Sequence, residues 1–121
     1  VTIVELQQLL KAEMLCEQQE ENLDIRTAKA SDLMSDVLSY TGPGELLLTG
    51  LTNHQVVRTC EIAGIRAIVF VRGKRPSDET VSLAAKCNIC MLATKFSMFE
   101  SCGILFSNGV QGVTQQTSDV R

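Results

Sequence analysis

The sequence predicts an α/β fold, and three observations carry that prediction. Three apolar segments without polar alternation, Leu46 to Leu48, Ala67 to Val71 and Ile89 to Ala93, each run through a short polar loop into a helical pattern. Each of those helices begins with a capping signal: Thr52 with Gln55, Ser77 after Pro76, and Ser97 with Glu100. The helices after the first two segments are closed off by Gly64 and Asn88, residues that tolerate the left-handed conformation in which helices end. Strands buried on both faces and separated by helices imply right-handed crossovers in a small, mostly parallel sheet flanked by helices. A chain of 121 residues, 45% of them hydrophobic, is the size of one domain and can bury a core without metal or disulfide staples.

The first half is less regular. Thr2 and Glu5 have capping-box spacing, and Ile3, Leu6, Leu9 and Leu10 fall on one face, so a helix is expected to about Ala12. "EMLC" reads as a short strand, "EQQEEN" as a polar turn, and Leu23 to Lys29 as a second strand. Ser31 or Asp32 can then cap a short helix with Leu33, Val37 and Leu38 pointing inward, and "TGPGE" at 41–45 breaks the chain. After Asn108 the periodicity fades, which places a domain at 1–109 and a flexible tail at 110–121.

Composition excludes several classes. Aromatic residues make up only 4% of the chain and interleave with no basic stripe, so nucleic acid is not an expected partner. The longest apolar run, Ala67 to Val71, is too short to span a bilayer, and there is no basic segment leading into a signal-like stretch. A cytoplasmic chain without a membrane partner is therefore expected. The net charge of −3 hides an asymmetry: residues 1–52 carry nine acids and three bases, whereas residues 53–121 carry five acids and eight bases. An anion-binding surface is accordingly sought in the second half.

In an open α/β sheet ligands bind beyond the carboxyl ends of the strands. Three loops meet there, Thr49 to Thr52, Arg72 to Ser77 and Thr94 to Ser97. They supply Arg72, Lys74, Arg75 and Lys95, the hydroxyls of Thr49, Thr52, Thr94 and Ser97, Gly50 at the strand exit, and helix N-termini with unpaired N–H groups. That set suits a phosphate or another anion. The alternative is that each hydroxyl caps its own helix and each cation is solvated. "TGLT" lacks the glycine-bounded turn and the Lys-Ser/Thr pair of a Walker loop, so no NTP hydrolase or kinase is expected.

The single histidine, His54, has no sequence neighbours for a metal site or a catalytic triad and is assigned an exposed or capping role. Cys16, Cys60, Cys87, Cys90 and Cys102 are read as reduced thiols. "CNIC" has the spacing of half a metal-ligand set or of a redox pair, but Cys87 ends a helix and Cys90 starts a buried strand, the reverse of the placement that activates a thiol. No metal site and no cofactor are expected.

The order of these segments resembles the DRTGG domain, whose fold is that of the N-terminal domain of HPr kinase/phosphorylase. The likeness covers about residues 2–108 and rests on a strand ending in Thr49-Gly50, the "AIVF" strand leading to a Gly-containing loop before Pro76, and "MLATKFSMFE" as strand, loop and helix. It departs from the family at the namesake motif, where "GLTNHQ" stands in place of an Asp-Arg pair. The resemblance implies a non-catalytic regulatory or accessory module of the kind found beside nucleotide-sensing CBS domains, or alone near hydrogenase genes. It implies no transferase activity; the three loops, read beside it, lead to an expected anionic small-molecule ligand, with a nucleotide as one class. Two alternatives accompany it: an assembly module forming a homodimer or binding a partner such as a hydrogenase, and an iron-sulfur accessory protein using Cys87 and Cys90.

Overall fold

The computed structural model describes residues 1–17, 23–39 and 44–113. In chain order the elements are α1 (Ile3–Leu10), β1 (Glu13–Cys16), β2 (Thr27–Ala30), α2 (Met34–Ser39), β3 (Leu46–Thr49), α3 (His54–Ala63), β4 (Ala67–Phe70), α4 (Asp78–Lys86), β5 (Cys90–Ala93), α5 (Met98–Ser107) and β6 (Gln111–Gly112). The strands form one six-stranded sheet in the order β1-β5-β4-β3-β2-β6. All neighbours are parallel except β1, which runs antiparallel along the edge of β5.

The core follows from the two-residue period of a strand. Leu46, Leu48, Val69 and Leu92 face one side, where they pack with Leu6 and Leu10 of α1 and Leu105 of α5. Leu47, Ile68, Phe70 and Met91 face the other, against Val37 of α2, Val56, Val57 and Cys60 of α3 and Ala84 of α4. Every residue of β3, β4 and β5 is buried, which is why these strands show no polar alternation. The result is a three-layer sandwich with the sheet in the middle.

Local capping chemistry sets most boundaries. Thr2 and Glu5 form a complete capping box on α1, Ser97 and Glu100 form another on α5, and the Ser77 hydroxyl accepts from the Thr80 amide at the start of α4. Gly64 ends α3 at φ 77° and Asn88 follows α4 at φ 56°. The third expected box is absent. Asn53, not Thr52, is the N-cap of α3, and its side chain makes no capping bond.

Two other expectations change. Of the three expected residues only Val37 is buried; Leu33 and Leu38 are 57% and 46% exposed, and Met34 at the start of α2 packs partly against the core in their place. The described fold continues past the expected boundary at 109. Val110 is buried in the core, Gln111 and Gly112 pair with Thr27 and Ala28, and the Val113 amide bonds the Ala28 carbonyl. Val110 is apolar and β2 needs an edge partner, and neither fact shows up as periodicity. Residues 114–121, and Thr41, Gly42 and Pro43 of the expected chain break, lie outside the described residues.

Among the described residues the Ser101 hydroxyl is the one buried side-chain oxygen without a hydrogen-bond partner. Burying an unsatisfied hydroxyl costs free energy that a methyl group does not. Ser101→Ala is expected to stabilise the domain by about 1 kcal/mol, read as a higher urea midpoint at unchanged slope. A lower midpoint would mean that the hydroxyl is satisfied in solution.

Candidate functional site

Parallel strands bring the ends of β3, β4 and β5 level, with Thr49, Phe70 and Ala93 in register. The three following loops are stitched to one another by backbone bonds. The Val71 amide donates to the Thr49 carbonyl (3.0 Å), the Arg72 amide to Phe96 (2.8 Å) and the Gly73 amide to Thr94 (2.9 Å). Arg72 and Gly73 both take left-handed backbone conformations, φ 59° and 71°, to make this crossing. Their amides are consequently spent inside the fold and are not open to a ligand.

The expected loop residues then separate into two groups. On the β3 side the Asp32 carboxylate accepts from the Gly50 amide at 2.7 Å and from the Thr49 hydroxyl at 3.0 Å. An anion of the chain itself thus occupies the donors that the strand exit offers. A side chain at Gly50 would meet the Arg72 guanidinium, the far end of a flexible and exposed side chain that can move aside. Thr49 is fully buried, and its hydroxyl is bonded within the loop. Arg72 and Lys74 are exposed, and neither makes an ion pair among the described residues.

On the β5 side lies a cleft of about 450 Å³. Leu10, Ala93 and Phe96 give it an apolar floor, and Lys11, Arg75, Lys95 and Glu13 provide charge. The geometry follows from β1 being antiparallel. Its first residue, Glu13, pairs with Ala93, the last residue of β5, so the turn from α1 to β1 rises beside the β5–α5 loop. Glu13 and Arg75 form a two-pronged ion pair, 2.6 and 3.1 Å, that fixes the β4–α4 loop against β1. The hydrogen bond and charge of Arg75 hold the Glu13 carboxyl below its ordinary range and in turn raise Arg75. Lys11 stands in left-handed backbone at the end of α1, φ 49°. Three cations against one carboxylate leave the cleft electropositive in a chain that is acidic overall.

Thr94 borders this cleft but is 1% exposed, and its hydroxyl donates to the Leu10 carbonyl at 2.7 Å, closing the exposed end of α1. Ser97 is committed to its capping box. Thr52 is half-buried. Of the nine loop residues expected to meet one ligand, Arg75, Thr94 and Lys95 share this cleft. Lys11 and Glu13, which the sequence pattern did not point to, complete it.

His54 does more than sit in solvent. Its Nδ1 lies 2.6 Å from the Thr80 hydroxyl, which is also 3.1 Å from the Ser77 hydroxyl, so the first turns of α3 and α4 are hydrogen-bonded together. Thr80 is 1% exposed, and this linkage is structural.

The two thiols of "CNIC" face opposite sides of the sheet. Cys90 is fully buried on the α1/α5 side with its Sγ 3.7 Å from Met14, whereas Cys87 packs with the cluster on the other side and its Sγ donates to Glu61 at 3.5 Å. Burial and the Glu61 carboxylate raise the Cys87 pKa, and burial pushes Cys60 up to about 12. These two sulfurs share no ligand set, and among the described residues no group of three or more His, Cys, Asp or Glu side chains is placed to hold a metal ion. No described helix is long and apolar enough to cross a membrane.

Comparison with known proteins gives one family and one informative structure. The solved structure is that of the CBS and DRTGG domains of the regulatory region of Clostridium perfringens pyrophosphatase, complexed with its activator diadenosine tetraphosphate. It superposes with a TM-score of 0.72 at 15% identity, over 86% of this chain and 45% of that one. The chain therefore spans less than half of that neighbour, and the likeness is one of fold. No curated protein sequence matches. Residues 5–106 match the DRTGG domain, so the chain belongs to the DRTGG domain family.

Proposed function

We propose that this domain is a non-catalytic regulatory or accessory module that binds an anionic small molecule, of the nucleotide class, in the cleft between the α1–β1 turn and the β4–α4 and β5–α5 loops. The observation that carries the reading is the charge and shape of that cleft: Lys11, Arg75 and Lys95 surround an apolar floor that includes Phe96, and only Glu13 offsets them. Phosphates suit the cations, and a base suits the aromatic floor. The fold neighbour's complex with diadenosine tetraphosphate supports the regulatory class. The opposed directions of Cys87 and Cys90 count against an iron-sulfur function.

Calorimetric titration with ATP and with pyrophosphate tests the reading. The affinity is expected to fall with added salt, and Lys95→Ala is expected to weaken binding about 10- to 100-fold, the loss of one charge-assisted hydrogen bond. Lys74→Ala, on the exposed loop outside the cleft, is expected to change little. Equal losses in both variants would indicate diffuse electrostatic attraction and remove the cleft from the account.

A further inference from the structure

The electropositive cleft contains an anion of its own. Glu13 and Arg75 both line it, and the carboxylate holds the end of the guanidinium with two bonds, Nη1 to Oε1 at 2.6 Å and Nη2 to Oε2 at 3.1 Å. A guanidinium grips two phosphate oxygens in this same two-pronged way. Three N–H groups of Arg75 remain, but an anion placed on them lies beside the Glu13 carboxylate and meets a guanidinium whose charge is already offset. Lys11 and Lys95 differ in this respect: both are exposed, and neither makes an ion pair among the described residues.

The pair can open without disturbing the fold. The side chains of Arg75 and Glu13 are 53% and 61% exposed, and ion pairs so open to water add little to stability. The backbone at Glu13 is held separately, by the register of β1 on β5 that pairs it with Ala93.

We infer that Glu13 is a built-in competitor for Arg75, and that it makes the cleft selective for anions carrying more than one negative charge. The inference rests on the anion-binding reading of the cleft. The affinity of a ligand that uses Arg75 is reduced by the fraction of molecules in which the guanidinium is free to receive it. A monoanion that displaces Glu13 exchanges one ion pair for another and gains nothing overall. A diphosphate or polyphosphate takes the place of the carboxylate on Arg75 and reaches Lys11 and Lys95 with its remaining charge, while the Glu13 side chain turns into water.

The test is an amide NMR titration of the full chain with pyrophosphate and with acetate. Saturable shifts are expected at Lys11, Gly73 and Lys95 with pyrophosphate, and none with acetate at the same concentrations. Glu13→Gln keeps the shape of the side chain and removes its charge; it is expected to tighten pyrophosphate binding about tenfold. In an Arg75→Ala background the same substitution is expected to gain less than about threefold, because no guanidinium is left to release. A pyrophosphate response seen only in Glu13→Gln is the same result at its limit. Unchanged or weaker binding in Glu13→Gln overturns the inference, the weaker case making Glu13 a positioning residue for Arg75. So do equal gains with and without Arg75, which reduce Glu13 to a general repulsion, and acetate binding as tightly as pyrophosphate in the unaltered protein. Each of these leaves the anion site in place, whereas no response to pyrophosphate in any of the proteins removes the site and the inference together.

Discussion

Replacing Phe70 with alanine is expected to cost about 3–5 kcal/mol, the range for a large aromatic side chain truncated in a packed core. Phe70 is fully buried, is the largest such side chain among the described residues, and closes β4 between Thr49 and Ala93. Its carbonyl also receives the Thr94 amide at 2.9 Å, so the β5–α5 loop is anchored on the residue that would be hollowed out. Small domains have a total stability of only about 5–15 kcal/mol, and the variant should lie near its unfolding transition in water. Urea denaturation followed by far-UV circular dichroism measures this. A loss under 1 kcal/mol would mean that the α2/α3/α4 layer closes over the gap and is not tightly packed.

Asp32→Ala is expected to cost about 1–3 kcal/mol although the residue is exposed, because it strips a carboxylate from the Gly50 amide and from the buried Thr49 hydroxyl. Asp32→Asn retains an acceptor oxygen and should lose less. The pair of variants separates the hydrogen bond from the charge. Hydrogen exchange at Gly50 gives the local readout: its amide is expected to be protected in the unaltered protein and to exchange faster in Asp32→Ala. Unchanged exchange would place the carboxylate elsewhere in solution.

These two residues mark where the sequence is readable and where it is not. Phe70 lies in "AIVF", a run whose apolar continuity announces a strand covered on both faces, and the neighbouring strands were legible for the same reason. The boxes at Thr2 and Ser97 were legible because each is complete within four consecutive residues. Asp32 reaches 17 and 18 residues along the chain to its partners, and nothing local distinguishes that from the helix cap its position suggests. The misplaced cap at Thr52 has a related cause, since Thr52 and Asn53 are both good N-caps and the choice is made by how the chain leaves β3.

The candidate site divides along the same line. Gathering the loops at the carboxyl ends of parallel strands is a general consequence of the topology, and those loops do meet. Which of their side chains face a common space depends on β1. Because β1 joins the sheet antiparallel beside β5, Lys11 and Glu13 arrive from a distant part of the sequence, Glu13 takes Arg75, and the cleft forms on the β5 side, away from Gly50. Thr49 and Thr94, which read as ligand hydroxyls, each hold a loop in shape from inside the fold.

An anion site in the β5-side cleft is tested by amide chemical shifts during a titration with ATP, repeated with adenosine. Saturable shifts are expected at Lys11, Gly73, Lys95 and Phe96 with ATP, weak shifts at the same residues with adenosine, and loss of the ATP response in a Lys11→Ala/Lys95→Ala double variant that stays folded. Saturable shifts confined to residues 51–55, at the side-chain-uncapped start of α3, or an equal response to adenosine, would contradict it.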